Sequence, residues 1–168
     1  PQGAFAGHVG DSRLYRVRGG LIEQLTFDHS VQWELMRNSR TPIDPKVMLE
    51  YKNVITRSLG PHPSVQIDLE GPYPIRANDV YVLCSDGLSG LVTDEEIGMI
   101  CAELPPPEAC QMLVDLSNLR GGGDNITVVV VHVGDAPPEL PPLPEVPEPV
   151  FHDPMHPGWG WFIALCGH

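Results

Sequence analysis

A chain of 168 residues, 42% apolar and 19% charged, has the material for one domain with a real core. Acids outnumber bases 22 to 10, and the excess is local: residues 1–60 carry eight Lys+Arg against six Asp+Glu, residues 61–168 two against sixteen. A second half so acidic repels polyphosphate and suits divalent cations, which sets aside a sequence-independent nucleic-acid role.

Ala4–Val9 (AFAGHV) reads as a strand, Gly10-Asp11-Ser12 as a turn, Leu14–Val17 as a second strand, Gly19-Gly20 as a turn and Leu21–Leu25 as a third strand. Asp28-His29-Ser30 offers N-cap groups for a helix through Val31, Leu35 and Met36. Residues 38–52 are polar, hold Pro42 and Pro45, and are expected to be an irregular excursion. Val65–Leu69 alternates as a strand that Pro72 and Pro74 should end. Val80–Cys84 (VYVLC) is continuously apolar, as in a strand buried on both faces, and stops at Ser85-Asp86-Gly87. Thr93 and Glu96 form a capping box before a helix through Ile97, Ile100 and Cys101. Pro105–Pro107 opens another helix, with Ala109, Met112, Leu113, Leu116 and Leu119 on its apolar face, and Gly121–Gly123 ends it. Ile126–Val133 (ITVVVVHV) is expected to be a second wholly buried strand. Strands in meanders, without regular βαβ alternation, predict an α+β fold with antiparallel sheets covered by helices.

From Ala136 the composition changes: nine of the nineteen prolines lie between Pro137 and Pro157. The expected organisation is a partial domain over residues 1–135, a Pro-rich linker over 136–157 and an apolar tail over 158–168. Fully extended, the linker reaches roughly 65 Å at about 3.1 Å per residue. Trp159–Cys166 is far short of the roughly 20 apolar residues of a membrane span. It reads either as the start of a truncated transmembrane helix or as an adhesive tail. Cys84, Cys101, Cys110 and Cys166 include no CxxC pair, and Cys84, Cys101 and Cys110 read as small core residues in a reducing compartment. A chain that opens at Pro1 and enters a strand almost at once reads as a fragment.

Three acids stand where an apolar strand meets a Gly-containing turn: Asp11, Asp86 and Asp124. A carboxylate there loses solvation, and several that converge repel one another unless a hard divalent cation neutralises them. Spacing alone leaves other roles open. Asp-Gly is a common turn pair, and Asp11 could equally pair with Arg13.

Five ordered motifs then coincide with those of one family. They are VGDSRLY at Val9–Tyr15, LTFDHS at Leu25–Ser30, ITRSLG at Ile55–Gly60, DVYVLCSDGLS at Asp79–Ser89 and GGDNITVV at Gly122–Val129. The chain resembles the PPM-type (type 2C) metal-dependent serine/threonine protein phosphatases, over roughly the C-terminal half of their catalytic domain. The resemblance implies an α-β-β-α sandwich of two antiparallel sheets flanked by helices. It implies two Mn²⁺ or Mg²⁺ ions with Asp86 and Asp124 among their ligands, and a third, weaker ion at Asp11. No catalytic residue beyond the metal ligands is implied, because a metal-activated water attacks phosphorus in place of a Ser or Cys nucleophile. The segment from about Val31 to Lys52 falls at the family's flap.

The family's phosphate-gripping Arg, bridging Asp-Gly pair and leaving-group His have no counterpart in these residues. His8 and His132 read as packing residues within strands, His29 as part of a loop, and His152 and His156 as solvated tail residues. Arg57 reads as structural. The expected function is hydrolysis of phosphoserine and phosphothreonine in proteins by an intact cytoplasmic parent paired with a Ser/Thr kinase and anchored to a membrane if the tail begins a span. The fragment alone is expected to be inactive. The rival reading is a non-catalytic binding or sensor domain with a Pro-rich docking tail.

Overall fold

In the computed structural model, residues 3–39, 41–52 and 54–134 and the backbone of 164–166 are described. Among these residues twelve elements follow one another: β1 Ala4–Val9, β2 Arg13–Arg18, β3 Leu21–Gln24, α1 Val31–Asn38, α2 Pro45–Glu50, β4 Asp68–Tyr73, β5 Val80–Cys84, α3 Asp86–Ser89, α4 Asp94–Glu103, α5 Pro106–Leu119, β6 Val128–His132 and β7 Ala164–Cys166. The fold is α+β, as the meanders predicted. One sheet has the order β3-β2-β5-β6, antiparallel throughout; the other has the order β4-β1-β7, with β1 and β4 antiparallel and β7 parallel to β1.

The four-stranded sheet carries the core on one face. Tyr15, Val17, Val82 and Cys84 project onto Leu88 of α3, Val92 of the α3–α4 connection, Ile97 and Cys101 of α4, and Ala109 and Leu113 of α5. Each fully buried aliphatic side chain there contributes roughly 1.5–3 kcal/mol. The helix ends follow the sequence signals. Thr93 and Glu96 make the reciprocal capping box of α4, and Ser30 accepts from the Trp33 N–H at the start of α1. Glu96 is held down to about 2 by its hydrogen bonds from Arg120, with the Thr93 N–H adding to the effect.

Five expectations fail for identifiable reasons. The excursion over residues 38–52 contains a helix, α2, because Asp44 accepts from the Lys46 N–H and Pro45 takes the first helical position. The strand expected at Val65–Leu69 is β4, which begins at Asp68 and runs through Pro72. It pairs only with β1 among the described residues, so a missing N–H costs the ladder nothing there. Ser85-Asp86-Gly87 opens a short helix rather than ending in a turn. The last strand is not wholly buried: among the described residues β6 lies at the sheet edge, with Val129 and Val131 46% and 47% exposed. His132 is exposed with it, against its expected packing role. The linker and most of the apolar tail lie outside the described residues, and among those no helix is long and apolar enough to cross a membrane.

Asp79, with no exposed surface, ties the β4–β5 connection to β2. It accepts from Arg18 Nε at 2.6 Å, Arg18 Nη2 at 2.7 Å and the Arg76 N–H at 2.8 Å. The Arg18 guanidinium holds this carboxyl below the usual carboxylate range. In acid the unfolded chain therefore takes up the proton more readily than the folded one, so stability falls as pH falls. The contribution is complete above about pH 4, the ordinary Asp value, and is lost below it. Thermal melts between pH 7 and pH 2 are expected to show that acid slope, and Arg18→Gln to reduce it. An identical slope in the variant would refute the assignment.

Candidate functional site

The SDG and GDN motifs, 38 residues apart in sequence, meet at one end of the four-stranded sheet. The Ser85 N–H donates to the Thr127 carbonyl at 3.1 Å, and the Thr127 N–H donates to Ser85 Oγ at 3.0 Å. Ser85 Oγ in turn donates to the Asn125 carbonyl at 3.1 Å. These bonds extend the β5–β6 ladder by one rung and bring the residue after Asp86 against the backbone of Asp124 and Asn125. Only glycine fits there, since a Cβ on Gly87 would overlap the Asn125 carbonyl oxygen. From below, buried Ser117 Oγ donates to the Gly87 carbonyl at 2.8 Å. Asp86 occupies the first turn of α3 and is half-buried, whereas Asp124 is exposed and accepts from the Asn125 N–H at 2.7 Å.

Asp11 lies in the β1–β2 turn. Its Oδ1 is buried with no hydrogen-bond partner among the described residues. Burial raises this carboxyl above its ordinary value, and the nearby Asp86 charge raises it further. Pairing with Arg13 is not what the structure holds. Arg13 forks onto Asp28 instead, with Nε 3.0 Å from each carboxylate oxygen and Nη2 2.7 Å from Oδ2. Its Nη1 donates to Tyr15 Oη at 3.1 Å, and Tyr15 donates to Asp94 at 2.8 Å.

The structure thus brings the Asp86 and Asp124 turns into backbone contact and sets Asp11 within the field of Asp86. Among the described residues no three His, Cys, Asp or Glu side chains are grouped closely enough to hold a metal ion. A cation nonetheless suits what is present. The unpartnered Asp11 oxygen and the repulsion between two carboxylates are the conditions that a hard divalent ion relieves.

Arg57 is structural, donating to Asp68 Oδ1 at 2.6 Å and the Gln66 carbonyl at 3.2 Å. Sequence reasoning missed His29. Read as a loop residue, it is buried between the Asp11 turn and β4, with Nδ1 on the Gly10 N–H and Nε2 on Asp68. Its position next to Asp28, within the LTFDHS motif, was the available signal.

No family model matches the chain. A Streptococcus pyogenes protein bearing a 2C-type protein phosphatase name is 37% identical over 130 residues, covering 77% of this chain and 52% of that protein. The PPM Ser-Thr phosphatase MsPP from Mycobacterium smegmatis, solved with cacodylate, superposes with a TM-score of 0.68 at 35% identity, over 77% of this chain and 56% of that one. The catalytic domain of the serine/threonine phosphatase PstP, solved with 2 manganese ions, superposes with a TM-score of 0.63 at 36% identity, over 79% of this chain and 55% of that one. The chain spans about half the length of the curated relatives it matches. With the α+β elements, the ordered motifs and these likenesses together, the chain belongs to the PPM-type (type 2C) serine/threonine protein phosphatase family.

Proposed function

We propose that these residues form part of the active site of a protein phosphatase that hydrolyses phosphoserine and phosphothreonine in proteins and opposes a Ser/Thr kinase. The observation that carries this reading is the packing of Gly87 onto the Asp124–Asn125 backbone, which places two acid-bearing turns side by side. Asp86 and Asp124 would hold a divalent cation, Mn²⁺ or Mg²⁺, with Asp11 beside Asp86 as a further oxygen donor. PstP with its manganese ions supports the choice of metal. Bound there, such an ion supplies a Lewis acid for phosphoryl oxygens and lowers the pKa of a water.

The chain's own contribution is placement. The Ser85, Thr127 and Asn125 bonds fix the carboxylate-bearing turns to the ends of β5 and β6. The core beneath keeps α3 seated, so that the turn bearing Asp86 stays fixed to the end of β5. A cysteine nucleophile is disfavoured by the same burial: desolvation pushes the Cys84 and Cys101 thiols up to about 12, and a thiol is weak as a nucleophile until ionised.

A chimera tests the proposal. Residues 4–134 replace the matching half of MsPP, and Mn²⁺-dependent release of phosphate from a phosphothreonine peptide is measured. Turnover is expected in the chimera and not in the 168-residue chain alone. Asp86→Asn and Asp124→Asn are each expected to lower the chimera's kcat/KM at least 100-fold, about 2.7 kcal/mol of transition-state stabilisation. A folded chimera without activity, or one indifferent to both substitutions, would reject the reading.

A further inference from the structure

Asp28 and His29 are neighbours in sequence and hold opposite ends of the turn that carries Asp11. At its first residue, the Gly10 N–H donates to His29 Nδ1 at 3.0 Å while the His29 N–H donates to the Gly10 carbonyl at 2.8 Å. Gly10 is thereby gripped on both sides in a conformation, φ +111°, that few residues other than glycine adopt. At the far end, Arg13 is forked onto Asp28, which also accepts from Gln24 Nε2 at 3.0 Å. Both clamping residues are more than nine-tenths buried. Asp11, between the two grips, uses Oδ1 for no bond within the described residues.

The His29 ring is itself fixed. Because Nδ1 accepts from Gly10, its proton resides on Nε2, which donates to Asp68 Oδ2 at 2.9 Å. Asp68 is held from the other side by Arg57 at 2.6 Å. The His8 ring lies against His29 with centroids 4.7 Å apart, and the His29 carbonyl accepts from the Thr56 N–H at 2.7 Å. The ring therefore connects the Asp11 turn to β4 and cannot turn away without breaking both of its hydrogen bonds.

We propose that His29, acting with Asp28, is a positioning residue that clamps the Gly10–Arg13 turn and so aims the Asp11 carboxylate at a divalent cation. The proposal rests on the reading of Asp11 as a cation ligand. The clamp works through backbone and does not touch the ion. Its chemistry is that of the groups that orient metal ligands, whose loss typically weakens metal affinity 10- to 100-fold.

The test uses the isotope-labelled 168-residue chain and Mn²⁺ alone as probe. His29→Ala is expected to accelerate amide hydrogen exchange at Asp11 and Ser12 at least tenfold relative to Val82 in the core. It is also expected to raise about tenfold the Mn²⁺ concentration that half-broadens the Asp11 resonances. His29→Asn keeps an acceptor at the Nδ1 position and is expected to restore both readouts to within about threefold of the parent. Leu113→Ala, a cavity in the helical core, controls for general loss of stability and is expected to leave the Asp11 to Val82 exchange ratio unchanged. The clamp is refuted if His29→Ala leaves that ratio unchanged, if His29→Asn fails to rescue it, or if Leu113→Ala shifts it equally. It is also refuted if the parent and His29→Ala take up Mn²⁺ alike. A parent that takes up no Mn²⁺ refutes the Asp11 cation reading, and the proposed aiming of Asp11 with it. The exchange ratio then still reports whether the turn is gripped.

Discussion

Gly87→Ala is expected to cost about 3 kcal/mol of stability, at the upper end for overpacking, and to separate the two acid-bearing turns. The added methyl group has nowhere to go. It would overlap the Asn125 carbonyl oxygen, a backbone atom that accepts from Ser85 Oγ, with the Asn125 carbonyl carbon and the Asp124 backbone just behind. Relief in the other direction is blocked, because the Gly87 carbonyl is fastened to Ser117 in the core. The strand of least resistance is the Asp124–Thr127 segment, so the Ser85 bonds to Asn125 and Thr127 should open. Urea melts of the chain measure the cost, and in the chimera with MsPP kcat/KM for the phosphopeptide should fall with it. A variant with unchanged midpoint and unchanged activity would show that the contact between the motifs is not tight.

Leu88→Ala should cost a similar amount, about 3 kcal/mol, by the opposite fault. Leu88 has no exposed surface and lies in the cluster formed by Tyr15, Val82, Val92, Ile97 and Leu113. It is also the residue that anchors α3, a helix of four residues with too few internal bonds to persist alone. Its truncation should lower the melting temperature by roughly 10 °C. Because Asp86 begins the same helix, loss of the Mn²⁺-dependent activity of the chimera should exceed what the fraction unfolded accounts for. Leu113→Ala, in the same cluster but on α5, should cost comparable stability with a smaller effect on activity. Equal effects of the two on activity would mean that α3 is not anchored by Leu88.

What the sequence reveals most clearly is what local chemistry decides. β1 and β5 have the predicted bounds, and the capping box at Thr93 forms as read, because alternation, continuous apolarity and cap spacing each act within a few residues. What it conceals depends on neighbours. The four consecutive valines of β6 look alike, yet Val128 and Val130 pack toward the helical core while Val129 and Val131 face away. Only the position of β6 in the sheet decides that. Pro72 resembles a strand breaker until β4 is known to lie at an edge. His29 resembles a loop residue because its two partners, Gly10 and Asp68, are 19 and 39 positions away. Asp11, Asp86 and Asp124 are legible as candidates from their turns. That Asp86 and Asp124 meet through a glycine, and that Arg13 belongs to Asp28 rather than to Asp11, are facts of tertiary packing alone.

The outward valines of β6 have a practical bearing. Among the described residues β6 has one row of amide and carbonyl groups without a partner strand, bordered by Val129 and Val131, and such a row is a template on which another copy can add. Purified by itself at high concentration, this polypeptide should oligomerise edge to edge. A charged residue at position 131, by the logic that gives natural edge strands their lysines, is the first change to make for a sample that stays monodisperse.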